Sequence, residues 1–496
     1  MKLVVLVPSE AYKSYAGVRI RYKRIAPELG RHAVELALTD IGQFDPTTAD
    51  CDGIIISKCH DARSLIAAAA LRQRGKLVGV DLFDDYFSQP HDARLTRLRN
   101  WLAQLVDLCD FALCSTGAMA EVVRNYRSSL LTHIMHDPAP AESFDLIASA
   151  LERKVANASD RREIRVCWFG VGDNHLFPVG LTDLLAHASV LPALSRAGFD
   201  LRLKVVTNTR ALTADGLSML GCLPVRTEIE EWSEDAETNA LQEALIAFLP
   251  VGTQQFSIAK SLNRAMTALS AGCQVLSVGY PLYDRLESLI YRSAETLLND
   301  LELGSLRFSV ASLGKFRRIV DTCASAGNEA VSLARFLQAL EPQSQSNAGP
   351  LCLIHGQSTR QEAHNLIRQV GGLSVASPYY STATDFDVLF RGARSGLKML
   401  VAQSVASRLL PQVRARAKRR ERLNGRRYLQ IYAAGTPNGQ APEWLDWENA
   451  PIPFQLATYG QSLELMQRAL NAAFGPCRTL VSEMSPLPFP LAGQES

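Results

Sequence analysis

The stretch Ala259-Lys260-Ser261-Leu262-Asn263-Arg264-Ala265-Met266-Thr267-Ala268-Leu269-Ser270-Ala271-Gly272-Cys273-Gln274-Val275-Leu276-Ser277 decides how this chain reads. An apolar run ending at Pro250 and a polar loop, Gly252–Phe256, come before it. That order of residues predicts a strand over Leu245–Pro250, a helix over Ser261–Ser270 and a strand over Gln274–Val278. Gly272 is placed to end the helix, because glycine tolerates the left-handed backbone that a helix terminus needs. A helix N-terminus exposes unpaired backbone N–H groups and the positive end of the helix dipole, which favour an anion. Lys260 adds a point charge there, and Ser261 is placed to cap the helix. The same residues also suit an ordinary β–α–β unit with a surface lysine and a capping serine.

The pattern extends in both directions. Upstream, Ile164–Phe169 and Leu201–Thr207 read as strands, with a helix over Leu181–Ala197 between them. The first 140 residues repeat the alternation. Strands are predicted at Leu3–Val7, Val34–Leu38, Gly53–Ser57, Lys76–Asp81, Phe111–Ser115 and Leu131–Met135. Helices are predicted at Val18–Leu29, Ala62–Arg74, Leu95–Val106 and from Gly117. Strands that are apolar on both faces and alternate with helices indicate parallel sheets covered on both sides. A charged, helix-compatible connector spans 141–163, and the polar linker 341–350 precedes a third αβ segment. In that segment Leu351–Ile354, Leu373–Ala376 and Asp387–Phe390 are strand-like, and Thr359–Gln369 and Leu463–Ala473 are helical. The fold class is therefore α/β: two Rossmann-like lobes, 1–140 and 164–340, plus an additional C-terminal α/β domain over 351–496. Ligands in open parallel sheets sit beyond the C-terminal strand ends, so the cleft between the lobes is the expected site.

Bulk composition narrows the function classes. The 496 residues are 47% hydrophobic and 21% charged, with a net charge of +2, so the chain as a whole is no polyanion binder. One stretch departs from this: Arg414 to Arg427 holds eight basic residues against the single acid Glu421. Its expected partner is local and anionic, namely a lipid surface or a lipid-phosphate acceptor. Nucleic acid is the least favoured partner, because interleaved aromatic residues are missing. A solvated helix complemented by acids elsewhere gives the same pattern. Trp444 and Trp447 are packing residues or a sugar platform. The ten cysteines form no C-x-x-C pair, and Cys51, Cys167, Cys222, Cys273 and Cys352 lie in or beside apolar runs. That is the pattern of buried reduced thiols. The apolar start stops at Pro8, too early for a signal peptide, and no run reaches the length of a membrane helix. The cytoplasm is the expected location.

The 259–277 stretch resembles the C-terminal lobe of GT-B-fold glycosyltransferases, in the branch with a Lys-Ser-x-Asn-Lys/Arg sequence at the helix start. The resemblance covers about residues 1–340 and implies that Lys260, Ser261, Asn263 and Arg264 lie against a donor's diphosphate and sugar. Ile164-Arg165-Val166-Cys167-Trp168-Phe169-Gly170-Val171-Gly172 resembles the first strand and glycine loop of that lobe. Gly170 and Gly172 would then admit a phosphate close to the backbone, though tight turns use the same residues. Tyr15-Ala16-Gly17-Val18-Arg19-Ile20-Arg21 resembles the first loop and helix of the N-terminal lobe, with Gly17, Arg19 and Arg21 facing a phosphate on donor or acceptor. A solvated helix face is the plain alternative. Val80-Asp81-Leu82-Phe83-Asp84-Asp85 resembles an aspartate-rich strand end. Asp81 there and His60 beyond the third strand are the candidate catalytic bases, and capping by Asp84 or Asp85 is the alternative.

Many retaining members of this class carry two glutamates, eight residues apart, around the helix. The matching positions here are Ala259 and Thr267. The resemblance implies a nucleotide-diphosphate sugar as co-substrate, a glycan or lipid-linked acceptor, and no other cofactor or catalytic metal. A GT-B core that binds without catalysis is the second expectation, and a nucleotide-sugar epimerase of the same fold is the third.

Overall fold

A computed structural model of the chain describes residues 1–342, apart from 47, 61 and 142, together with six strand segments beyond them. The first sheet contains β1 (Lys2–Val7), β2 (Glu35–Asp40), β3 (Gly53–Ser57), β4 (Leu77–Leu82), β5 (Phe111–Cys114) and β6 (Leu131–Ile134). They lie in the order β2-β1-β3-β4-β5-β6, all parallel. The order reverses at β1, so the crevice for a ligand opens at the C-terminal ends of β1 and β3. The central strands are buried on both faces, as their unbroken apolar runs require.

The second sheet contains β7 (Glu163–Gly170), β8 (Asp200–Thr207), β9 (Arg226–Glu231), β10 (Ile246–Phe248), β11 (Gln274–Leu276) and β12 (Ile290–Tyr291). Its order, β12-β11-β10-β7-β8-β9, is also fully parallel, with the switch point between β7 and β10. A third parallel sheet joins β13 (Leu351–Gly356), β14 (Leu373–Ala376), β15 (Lys398–Ala402), β16 (Ile431–Ala434), β17 (Thr458–Tyr459) and β18 (Arg478–Glu483) in the order β14-β18-β13-β15-β16-β17. The expected helices 359–369 and 463–473, the strand 387–390, the basic run 414–427, Trp444 and Trp447 lie outside the described residues.

Several expectations change. The helix expected over 18–29 is broken into short pieces: a turn at Ala16–Val18, a π-helical turn at Arg19–Lys23 and a short helix at Ala26–Gly30. The helix expected over 181–197 is α-helical only at Leu181–His187 and continues as a tighter 3₁₀ stretch, Ala188–Ser195. Pro192 lies inside that stretch and cannot donate to an α-helical ladder. The connector forms the helix Phe144–Arg161. The helix Ala326–Gln338, read as part of the second lobe, returns to the first. Its Ala330, Leu333, Ala334 and Leu337 pack with Leu3, Val5 and Val7 of β1. Cys222 is exposed rather than buried, unlike Cys51, Cys167 and Cys273. Among the described residues no helix is long and apolar enough to cross a membrane.

Candidate functional site

The C-terminal strand ends of the first lobe meet the segment that follows β10 in the second. Three contacts tie Ala259, Lys260 and Ser261 to that edge. Thr116, just beyond β5, donates its hydroxyl to the Ala259 carbonyl at 3.0 Å. Lys260 Nζ pairs with Asp84 Oδ1, just beyond β4. Ser261 Oγ donates to Asp137 Oδ2, just beyond β6, at 2.6 Å.

The helix itself begins at Asn263, two residues later than expected, and its N-cap position is Leu262. Ser261 is thus not the cap; its hydroxyl is committed to the opposite lobe. Gly272 ends the helix with a left-handed φ of 71°. Arg264 in the first helical turn reaches back to β7, where it donates to the Phe169 carbonyl. Its guanidinium lies 5.2 Å from the Trp168 ring centroid and 5.3 Å from that of Phe169. A side chain at Gly170 would press on that guanidinium at 3.3 Å, and Gly170 already has a φ of 144°. Among the described residues Arg264 Nε and Asn263 Oδ1 are buried without a hydrogen-bond partner.

Gly172 has a packing reason. A Cβ there would collide with Thr207 and Ala211. The Gly172 N–H donates to Asn208 at 2.9 Å, and Asn208 in turn donates to Asp173 at 2.7 Å, so β8 holds the loop in shape.

In the first lobe the structure separates residues that the sequence left together. Arg21 is 1% exposed and donates to Asp81 twice, at 3.0 and 2.6 Å. It also donates to Asp137 at 2.8 Å and to the Met135 carbonyl at 3.0 Å. Tyr22 adds a 2.5 Å bond to Asp81. Burial raises the Tyr22 phenol, and the Asp81 charge raises it further. Asp81 is therefore a filled acceptor beneath the site, with no open face for a substrate proton, and Arg21 has no free edge for a phosphate. Arg19 also turns from phosphate to protein: it pairs with Glu234 of the second lobe at 3.0 Å and lies over the Trp232 ring at 5.3 Å. Gly17 admits the Phe83 ring, which a Cβ would meet at 3.1 Å. His60 lies among aromatic rings, 4.6 Å from the Trp101 ring centroid and 5.7 Å from that of Phe87.

The carboxylate that stands at the gap is Asp84. Lys58 takes one of its oxygens and Lys260 the other. Burial alone would raise the Asp84 pKa, but the two ammonium groups outweigh it and hold the carboxyl well below the usual range. Asp85 beside it caps a turn, accepting from the Phe87 and Ser88 N–H groups at 3.0 Å each. Next to the ion pairs Phe177 stacks on Phe256 at 4.6 Å, and Tyr86 comes within 5.2 Å of Phe256. Phe177, Phe256 and Ala259 of the second lobe thereby join the apolar core of the first. Sequence reading missed Lys58, Asp137 and this aromatic group. A lysine directly after a buried strand, next to the switch point, was the available signal for the first.

Two doubly wound parallel lobes in series, with their C-terminal edges facing, define the GT-B arrangement of α/β proteins. The strand orders carry that assignment. No known protein-family pattern matches the chain, and no curated protein matches it in sequence. Among solved structures, a trehalose-6-phosphate structure from E. coli bound with UDP-2-fluoro glucose is similar at 13% identity and a TM-score of 0.47, over 68% of this chain and 99% of that one. HepE of Anabaena, in complex with UDP and glucose, is similar at 12% identity and 0.47, over 68% of this chain and 100% of that one. A UDP-forming trehalose-phosphate synthase from Burkholderia xenovorans shows 11% identity and 0.43, over 66% and 86%.

Proposed function

We propose that the chain is a glycosyltransferase that moves a hexose from a nucleotide-diphosphate sugar to a glycan or lipid-linked acceptor, in surface polysaccharide or glycoconjugate synthesis. The observation that carries this reading is the placement of Lys260 and Arg264. They flank the start of one helix where the two lobe edges meet, and Arg264 Nε has no protein partner among the described residues. Charge grows on the diphosphate as the sugar leaves. Two cations and a helix N-terminus held in place beforehand stabilise that charge without reorganising. The proposal includes no catalytic metal and no resident cofactor. It places the protein in the cytoplasm, with the basic run Arg414–Arg427 as its contact with an anionic membrane surface. Lys260→Ala should lower turnover with the preferred donor at least tenfold, about 1.4 kcal/mol of transition-state stabilisation. Unchanged turnover would remove Lys260 from the mechanism.

A second reading is a GT-B core that binds a nucleotide sugar, a glycan or a protein partner without chemistry. It is favoured by Ala259 and Thr267, which are buried at 1% and 8% exposure and supply no carboxylate where retaining relatives of the class place theirs. Transfer and hydrolysis assays over a panel of donors separate the two. Tight donor binding with no turnover on any acceptor supports the second.

A further inference from the structure

Lys58 is a lysine in left-handed backbone, with a φ of 59°. A non-glycine side chain adopts that conformation at a cost, and such residues gather where a side chain must be aimed. Lys58 directly follows β3, at the switch point of the first lobe, where a ligand of a doubly wound sheet is expected. Its ammonium lies 4.4 Å from the Phe83 ring centroid and 4.9 Å from that of Tyr86, so two aromatic faces hold it in place.

The target of that aim is Asp84, which also takes Lys260 from the other lobe. Two cations on one carboxylate leave a net positive charge in the gap. The carboxylate presents one oxygen to each ammonium, and two oxygens of a phosphate group have a similar span. A phosphate, however, brings up to two negative charges and would neutralise both lysines. The Lys260 side chain is 38% exposed, against 14% for Lys58 and 13% for Asp84, so solvent reaches the cluster at Lys260.

We propose that Lys58 is a further cation of the diphosphate site, contributed by the first lobe, and that Asp84 is an internal anion occupying that site until a nucleotide diphosphate displaces it. This rests on the donor reading above and deepens it: both lobes would grip the same phosphate, and closure would be coupled to exchange of one anion for another. A site that its own carboxylate occupies binds its ligand more weakly than an empty one, by the fraction of time it is open.

The test is calorimetric titration of UDP, GDP, ADP and inorganic pyrophosphate into the full chain and its variants. Asp84→Asn should bind the preferred nucleotide about tenfold more tightly than wild type, and Lys58→Met at least about fivefold more weakly. Thermal melts distinguish this from a purely structural latch. Asp84→Asn should melt lower than wild type without ligand, yet gain more from the nucleotide. A latch with no role in binding would lower the melting temperature and leave affinity equal or weaker. If wild type needs Lys260 for the nucleotide while Lys58→Met binds normally and Asp84→Asn binds no more tightly, this inference fails and the donor reading stands. If neither wild type nor Asp84→Asn binds any of the four probes, both fail together.

Discussion

Arg21 illustrates how residue chemistry misleads when partners are distant in sequence. An arginine one turn into the first helical segment suits a phosphate and suits a buried carboxylate equally well. The choice depends on Asp81 and Asp137, which lie 60 and 116 residues further on. Because both carboxylates are present, the guanidinium is spent inside the protein. Removing one partner strands a buried charge, which costs more than the pair itself contributes. Arg21→Ala should therefore destabilise the first lobe by about 3–5 kcal/mol, read as a fall in melting temperature and urea midpoint. Tyr22→Phe, losing one hydrogen bond to that carboxylate, should cost less, about 1.5–3 kcal/mol. Equal effects of the two would contradict the ion-pair account. The glycines were partly legible for a related reason. Gly272 ends its helix through its own backbone, which is a local property. Gly172 answers to Thr207 and Ala211, which a local reading does not see.

At the scale of elements, strands buried on both faces were the most readable, since their apolar runs are continuous: β3 has the expected bounds. β9 was missed because Arg226-Thr227-Glu228-Ile229-Glu230-Glu231 is a charged and mostly exposed edge strand, without the apolar run by which strands are recognised. β12 has only two residues, too short for any periodicity. The return of helix Ala326–Gln338 to the first lobe was equally hidden, because an amphipathic pattern shows that a face is buried but not against what. That helix makes a separable prediction. Leu333 is fully buried against β1, so Leu333→Ala should cost about 2–5 kcal/mol. Hydrogen exchange should show the loss of protection in β1 and β3 before any in β7 and β8. Loss confined to the second lobe would contradict the observed packing.

Over the whole molecule, the parallel alternation of the first 340 residues made the two lobes visible in the sequence, but the condition of the gap between them was not. The gap is crossed by ion pairs from Asp84 and Glu234, by the Ser261–Asp137 hydrogen bond and by the Phe177, Phe256 and Tyr86 rings. Lys260 reaches that gap and meets a carboxylate of the opposite lobe there, while Arg264 is held to β7 of its own lobe through the Phe169 carbonyl. Lobes held by such contacts would have to loosen for the proposed donor to enter and re-form around it, which would couple its binding to stability. The most direct test is a thermal-shift screen of wild type, Lys260→Ala and Arg264→Ala against nucleoside diphosphates and their sugars. A ligand at a hundred times its Kd stabilises the folded state by about 2.7 kcal/mol. The account predicts a clear rise in melting temperature for wild type with at least one nucleotide, and little or none for either variant. No rise with any nucleotide, or an undiminished rise in both variants, would contradict it.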